Sequence, residues 1–190
     1  MLFEHLATLL EYPVTLPGDA VAAATADAAE ADARVVEQLD VFAAATRTMS
    51  LRDLQELYAR TFDFDADTAL YVGHHLFGED GRRGLLIAGL VERYERLDLA
   101  TGVELADHFS PVLRSLARDG DSDEARELVR MALRPALDRV LLSVERRAAP
   151  YAALLRALAV VIHAHAGEPF EPGSDRCRSS SSPYFLTLLS

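Results

Sequence analysis

Apolar residues recur along this chain mostly at three- and four-residue intervals, and runs that alternate at every second position are nearly absent. That spacing predicts helices throughout. A short one covers residues 2–11 and closes at Tyr12-Pro13. After the turn LPGD, an Ala-rich helix is predicted over about 20–47, with Val21, Ala24, Ala28, Ala31, Val35, Leu39 and Phe42 on its inner stripe. Ser50, with Asp53 three residues on, reads as a variant capping box. Leu51, Leu54, Leu57, Tyr58 and Phe62 form the apolar face of the helix that follows.

Two further helices are predicted at 67–77 and 83–98, the second facing inward with Ile87, Leu90, Val91, Tyr94 and Leu97. The connector TGVELADHFSP comes next, with Ser110 as an expected N-cap and Pro111 as first helical residue. Gly120 ends that helix, and Asp121 with Glu124 opens another. Pro135 breaks or kinks it, because proline has no N–H to donate. The last strong helix, 151–166, places Tyr151, Leu154, Leu155, Leu158, Val161, Ile162 and His165 inward. Beyond Gly167 the sequence turns rich in Pro, Gly and Ser and reads as a flexible tail, 168–190, with an apolar end, YFLTLLS. No internal repeat is visible. The expectation is one all-α domain of about eight helices over residues 1–167, followed by that tail.

With 190 residues and half of them apolar, the chain can bury a sizeable core. Its 19 basic residues, all arginine, face 30 acidic ones, for a net charge of −11. That balance disfavours a general nucleic-acid binder, which needs basic surface to displace phosphate counterions, and suits a cationic partner. The start, MLFEHLATLLEYP, lacks the basic region of a signal peptide. No apolar run approaches the roughly 20 residues of a membrane span. The single cysteine, Cys177, excludes an internal disulfide. A cytoplasmic protein is expected.

The stretch LYVGHHLFGEDGRRG, residues 70–84, invites a chemical reading. His74 and His75 are neighbours, so on a helix they point about 100° apart and do not share one ion. His163 and His165 are separated by about 200°, which also defeats the i, i+4 spacing of a zinc site. Gly73, Gly78, Gly81 and Gly84 match no phosphate-loop motif, and no lysine accompanies them. Gly78 fits a helix end, and Arg83 fits a surface pair with Glu79 or Asp80. Cys177 and serines 179–182 lie in the tail without a nucleophile motif. Asp107-His108 is a candidate acid–base pair with no nucleophile beside it, and a loop aspartate before a helix is commonly a cap. No enzyme activity, metal site or stably bound cofactor is expected. Periodicity alone leaves an acidic helical body with a histidine-bearing turn, suited to receiving a segment of another protein.

Four blocks carry a resemblance. LLEYP (9–13), YARTFDF running into LYVGHHLFGED and RG (58–84), ELADHFSPVL (104–113) and APYAALLRAL (149–158) resemble, in order and spacing, the molybdoenzyme assembly chaperones typified by the nitrate reductase delta subunit. The likeness runs over roughly residues 1–166. It departs at Ala106, where the family usually has Pro, and at Ser110, which precedes the family's second Pro, here Pro111. The resemblance implies a non-catalytic chaperone. Such proteins bind the apo catalytic subunit, often at its N-terminal segment, and keep it competent for insertion of the molybdenum–pterin guanine dinucleotide. They delay membrane attachment or export until loading is complete.

It also implies that the Asp-His of the connector, here Asp107 and His108, recognises that segment. Tyr71, His74, His75, Glu79, Glu104 and Pro111 join them as candidate partner-binding residues. Tyr71 and His75, four apart, are expected on one helix face, and Glu79, Asp80 and Glu104 would favour a basic target. Replacing Asp107 and His108 by alanine is then expected to weaken partner binding and leave melting nearly unchanged. Clients of the same enzyme class other than nitrate reductase fit equally well, a homodimer stays open, and the rival reading is an all-helical adaptor for another partner.

Overall fold

A computed structural model describes residues 1–29, 32–100, 102–120, 122–147 and 149–167. They form an all-α domain, and the predicted tail 168–190 lies outside the described residues. The helices run α1 (Leu2–Leu9), α2 (Gly18–Ala28), α3 (Ala33–Thr46), α4 (Leu51–Phe62), α5 (Val72–Phe77), α6 (Arg82–Arg96), α7 (Phe109–Asp119), α8 (Asp123–Leu128), α9 (Arg134–Glu145) and α10 (Tyr151–His165). Among the described residues, no helix is long and apolar enough to cross a membrane.

The last helix is the centre. Tyr151, Leu154, Leu155, Leu158 and Ile162 are buried as the stripe predicts, but so are Ala152, Ala153, Ala157, Ala159, Val160 and His163. Val161 and His165, expected inside, are half-buried instead. α10 is therefore enclosed on nearly every side, with α3 packed along it, α9 beside it and α1 touching it. Its alanines let the neighbouring backbones approach, since a methyl adds little radius. At one end Tyr151 meets Phe42 of α3 and Phe62 of α4 at ring-centroid distances of 5.3 and 5.0 Å. Tyr58 joins the cluster and donates its hydroxyl to the Leu10 carbonyl at 3.1 Å, which ties α4 to the end of α1.

Local capping explains several boundaries. Ser50 and Asp53 form the full reciprocal box: the Asp53 N–H donates to Ser50 Oγ at 3.2 Å, and the Ser50 N–H to Asp53 Oδ2 at 3.0 Å. Leu54, Tyr58 and Phe62 are buried below it, while Leu51 and Leu57 are half-buried. The single helix expected over 20–47 is two. Asp32 is extended and accepts the Arg34 backbone N–H at 2.9 Å, so it caps a new helix rather than continuing the old one. In α6 the buried face is Leu86, Leu90, Arg93 and Tyr94. Ile87 and Leu97 are half-buried and Val91 is exposed, so the predicted stripe is rotated by one position. The Arg93 guanidinium is buried, with Nε donating to Ser115 Oγ at 3.3 Å and ion pairs to Asp119 and Glu124 at 3.3 and 3.2 Å.

Pro135 interrupts the α-helical ladder without ending the run of helix. A π turn, Val129–Leu133, joins α8 to α9 and absorbs the missing donor, so the rod continues. Ser122 caps α8 by accepting the Ala125 N–H at 3.1 Å, whereas Asp121 lies outside the described residues. α7 packs along α1. Arg114 pairs with Glu4 at 3.0 Å and with Glu11, and Ser110 Oγ donates to the Ala7 carbonyl at 2.7 Å.

Truncating the central helix tests this arrangement. Leu158→Ala should lower stability by about 2–5 kcal/mol, the cost of a core cavity, while Val41→Ala, at a half-exposed site on α3, should change it by less than about 0.5 kcal/mol. Urea denaturation of both chains checks the contrast.

Candidate functional site

The residues flagged in 70–84 and in the connector meet, but only some of them. Tyr71 and His108 pair as an isolated antiparallel bridge. The Val72 N–H donates to the Asp107 carbonyl at 2.8 Å, and the Phe109 N–H to the Leu70 carbonyl at 2.9 Å. This pairing holds Tyr71 extended, which is why the helix predicted from residue 67 begins only at Val72. Tyr71 and His75 therefore do not share a helix face.

Asp107 sits at the centre. Its side chain is 0% exposed, and Arg83, 24% exposed, grips it with two bonds: Nε to Oδ2 at 2.9 Å and Nη2 to Oδ1 at 3.3 Å. The Gly73 N–H donates to the same Oδ2 at 3.2 Å, so Asp107 caps the first turn of α5 from a remote segment. Arg83 is thus a partner of Asp107 rather than of Glu79 or Asp80, and Arg82 takes Asp80 at 3.2 Å. Gly73 is required by space. A Cβ there would lie 2.8 Å from both Arg83 Cγ and Asp107 Oδ2. Gly78 ends α5 with φ 60° and ψ −127°, a conformation suited to the first central position of a II′ turn, and the Asp80 N–H closes that turn on the Phe77 carbonyl at 3.1 Å.

His108 is buried and is the N-cap of α7, displacing Ser110 from that expected role. Its Nδ1 accepts the Ser110 N–H at 3.1 Å, which leaves the proton of the neutral ring on Nε2. Pro111, expected as the first helical residue, is the third and is buried. The His108 ring packs edge-on against Tyr71 at 5.2 Å. The Tyr71 hydroxyl donates to Glu104 Oε2 at 2.8 Å, and Arg83 lies 5.5 Å from the Tyr71 ring centre. Burial and Glu104 push the Tyr71 phenol up to about 12. Burial lowers the His108 imidazole below its usual range against the opposing pull of Glu104, Glu11 and Asp107.

The other flagged residues lie elsewhere. His74 and His75 line a separate cleft with α9. His75 Nε2 donates to the Ala69 carbonyl at 2.6 Å, and burial lowers its imidazole too. Glu79 stands exposed in the turn after Gly78, and Phe77 is half-buried under Arg82. Among the described residues, no group of three or more His, Cys, Asp or Glu side chains is placed to hold a metal ion. Asp107 and His108 are enclosed, and what faces solvent around them is Glu104 between the exposed side chains of Val103 and Leu105. No protein-family model matches the chain, and no curated protein matches it.

Removing the buried pair should be costly and asymmetric. Asp107→Ala should lower stability by about 3 kcal/mol, and Arg83→Met by more, because it strands a fully enclosed carboxylate. Equal losses in urea denaturation would show that desolvated charge is not what sets the cost. The Asp107/His108 double-alanine chain is accordingly expected to melt lower, in contrast to the expectation from sequence.

Acid should act through the imidazoles. The unfolded chain's histidines protonate near pH 6.5, whereas burial lowers His75 and His108 in the folded chain. Unfolding then takes up protons, so stability is complete above about pH 6.5 and falls as pH drops below it, until the folded rings also protonate. Melting curves between pH 7.5 and 5.5 read this slope, and His108→Asn, which keeps an N-cap acceptor without a titrating ring, should flatten it.

Proposed function

We propose that this protein is a non-catalytic, cytoplasmic chaperone that holds the apo catalytic subunit of a nitrate-reductase-like molybdoenzyme competent for cofactor insertion. The observation that carries the reading is the ordered set of four sequence blocks shared in kind with the assembly-chaperone family. Its two most distinctive blocks, 70–84 and 104–113, are also bonded to each other through Tyr71–His108 and Arg83–Asp107. In this reading Asp107 and His108 act from within. They set the course of the connector, and the client segment meets the Glu104–Tyr71 edge with its flanking Val103 and Leu105. An acidic edge beside exposed apolar side chains favours a basic segment with apolar anchors. The molybdenum–pterin guanine dinucleotide belongs to the client, and no catalytic step is assigned to this chain.

Affinity capture from the native host, grown anaerobically under conditions that induce molybdoenzymes, tests the reading. The bound polypeptides are identified by mass spectrometry. A large molybdenum-subunit polypeptide lacking its cofactor is the expected partner, and Glu104→Arg should reduce its recovery at least tenfold while lowering stability by no more than about 1.5 kcal/mol, the worth of the Tyr71 bond it removes. An unrelated partner recovered while that enzyme is abundant in the lysate would replace the chaperone by a helical adaptor.

A further inference from the structure

The arginines of this acidic chain are mostly spoken for. Those at 34, 52, 82, 83, 93, 96, 114, 126, 147 and 156 each ion-pair with a carboxylate. Among the described residues Arg47, Arg60, Arg118, Arg139 and Arg146 form no ion pair with a carboxylate, and of these Arg139, on α9, and Arg146, its C-cap, stand seven residues apart, about two turns along one face. Arg139 donates to the His75 carbonyl, and Arg146 Nη2 donates to Ser143 Oγ at 3.1 Å. Both line the cleft that α9 makes with His74 and His75 of α5, a cleft of about 340 Å³ in which Asp67 is the one carboxylate. A guanidinium carries five N–H donors in a planar fork. Each of these two spends one donor on a neutral oxygen, so most of their capacity faces the cleft and solvent, where Asp67 is the carboxylate among the described lining residues.

That donor set is the one a tetrahedral oxyanion takes, because the fork matches two phosphate oxygens at once. Ser143 and the imidazole of His74 line the same cleft. The volume lies near the lower end of the range for small-molecule sites, enough for a phosphate and a small body. Leu142, 57% exposed between the two arginines, offers that body an apolar flank. We propose that the cleft between α5 and α9 binds a phosphate-bearing small molecule, with Arg139 and Arg146 holding the phosphate oxygens from either side. The site is separate from the Asp107 cluster, and the proposal stands independently of the chaperone reading.

Titration of the full chain followed by NMR of the histidine rings, at fixed pH and ionic strength, tests it. The probes are inorganic phosphate, pyrophosphate and adenosine monophosphate, with sodium chloride as the reference. Saturable shifts of His74 and His75 are expected with at least one phosphate probe, while the enclosed His108 ring stays put. Tighter binding of the monophosphate ester than of inorganic phosphate assigns the site to an esterified ligand, and the reverse order assigns it to the free anion. The Arg139→Gln/Arg146→Gln chain should bind at least tenfold more weakly with its melting temperature unchanged. Should that chain fail to fold, Arg146→Gln alone carries the same comparison, since Arg146 is exposed and, among the described residues, bonds to the serine hydroxyl three residues before it. The proposal is overturned by shifts that chloride reproduces, by the absence of any saturable shift, or by undiminished affinity in the variants. It is overturned equally if an oligoglutamate peptide shifts the same rings and the phosphates do not.

Discussion

One enclosed carboxylate organises half of this molecule. Asp107 has no contact with water, so its charge is tolerable only because Arg83 and the Gly73 N–H surround it. Those two partners come from α6 and from the first turn of α5, and the aspartate itself comes from the connector into α7. Three segments are thereby fixed relative to one another at a single point. The fixed connector in turn sets His108 where its ring can cap α7, and α7 then lies along α1 with Ser110 and Arg114 in bonding range. The cost of burying the ion pair is offset by bidentate geometry and by the backbone donor. A buried pair of this kind is weakly stabilising compared with apolar packing, although removing one partner alone is costly.

This also answers what 70–84 is for. Its glycines are positional: Gly73 leaves room for the carboxylate, and Gly78 takes the positive φ that ends the helix. Its histidines and arginines divide between two faces. Arg83 turns inward to Asp107, while His74 and His75 open to α9. The stretch is a short helix with a structural side and a side facing a cleft.

Much of the fold was legible because its signals are local. Ser50 with Asp53, Gly78 and Gly120 each act on their own few residues, and each marks a real boundary. The break at Asp32 was hidden by the strong helical preference of the alanines around it, which the aspartate's own backbone capture overrides. The α6 stripe was misjudged because Arg93 behaves as a core residue once Ser115, Asp119 and Glu124 surround it. The candidate site was half legible. Asp107, His108 and Tyr71 do come together. The Arg83–Asp107 bond joins residues 24 apart with no pattern between them, so nothing short of the fold reveals that the aspartate faces inward.

The enclosure of α10 bears on how the chain is made. It is the last of the described helices to be synthesised, yet it is the one on which α3, α9 and α1 pack. Until it has left the ribosome, α3 and α9 lack the helix they pack against, although α1 can already meet α2 and α7. Contacts between segments more than a hundred residues apart also carry a large loop-closure cost before they stabilise anything. Closure of the core around α10 is therefore expected to be late, after the earlier helices have paired with one another.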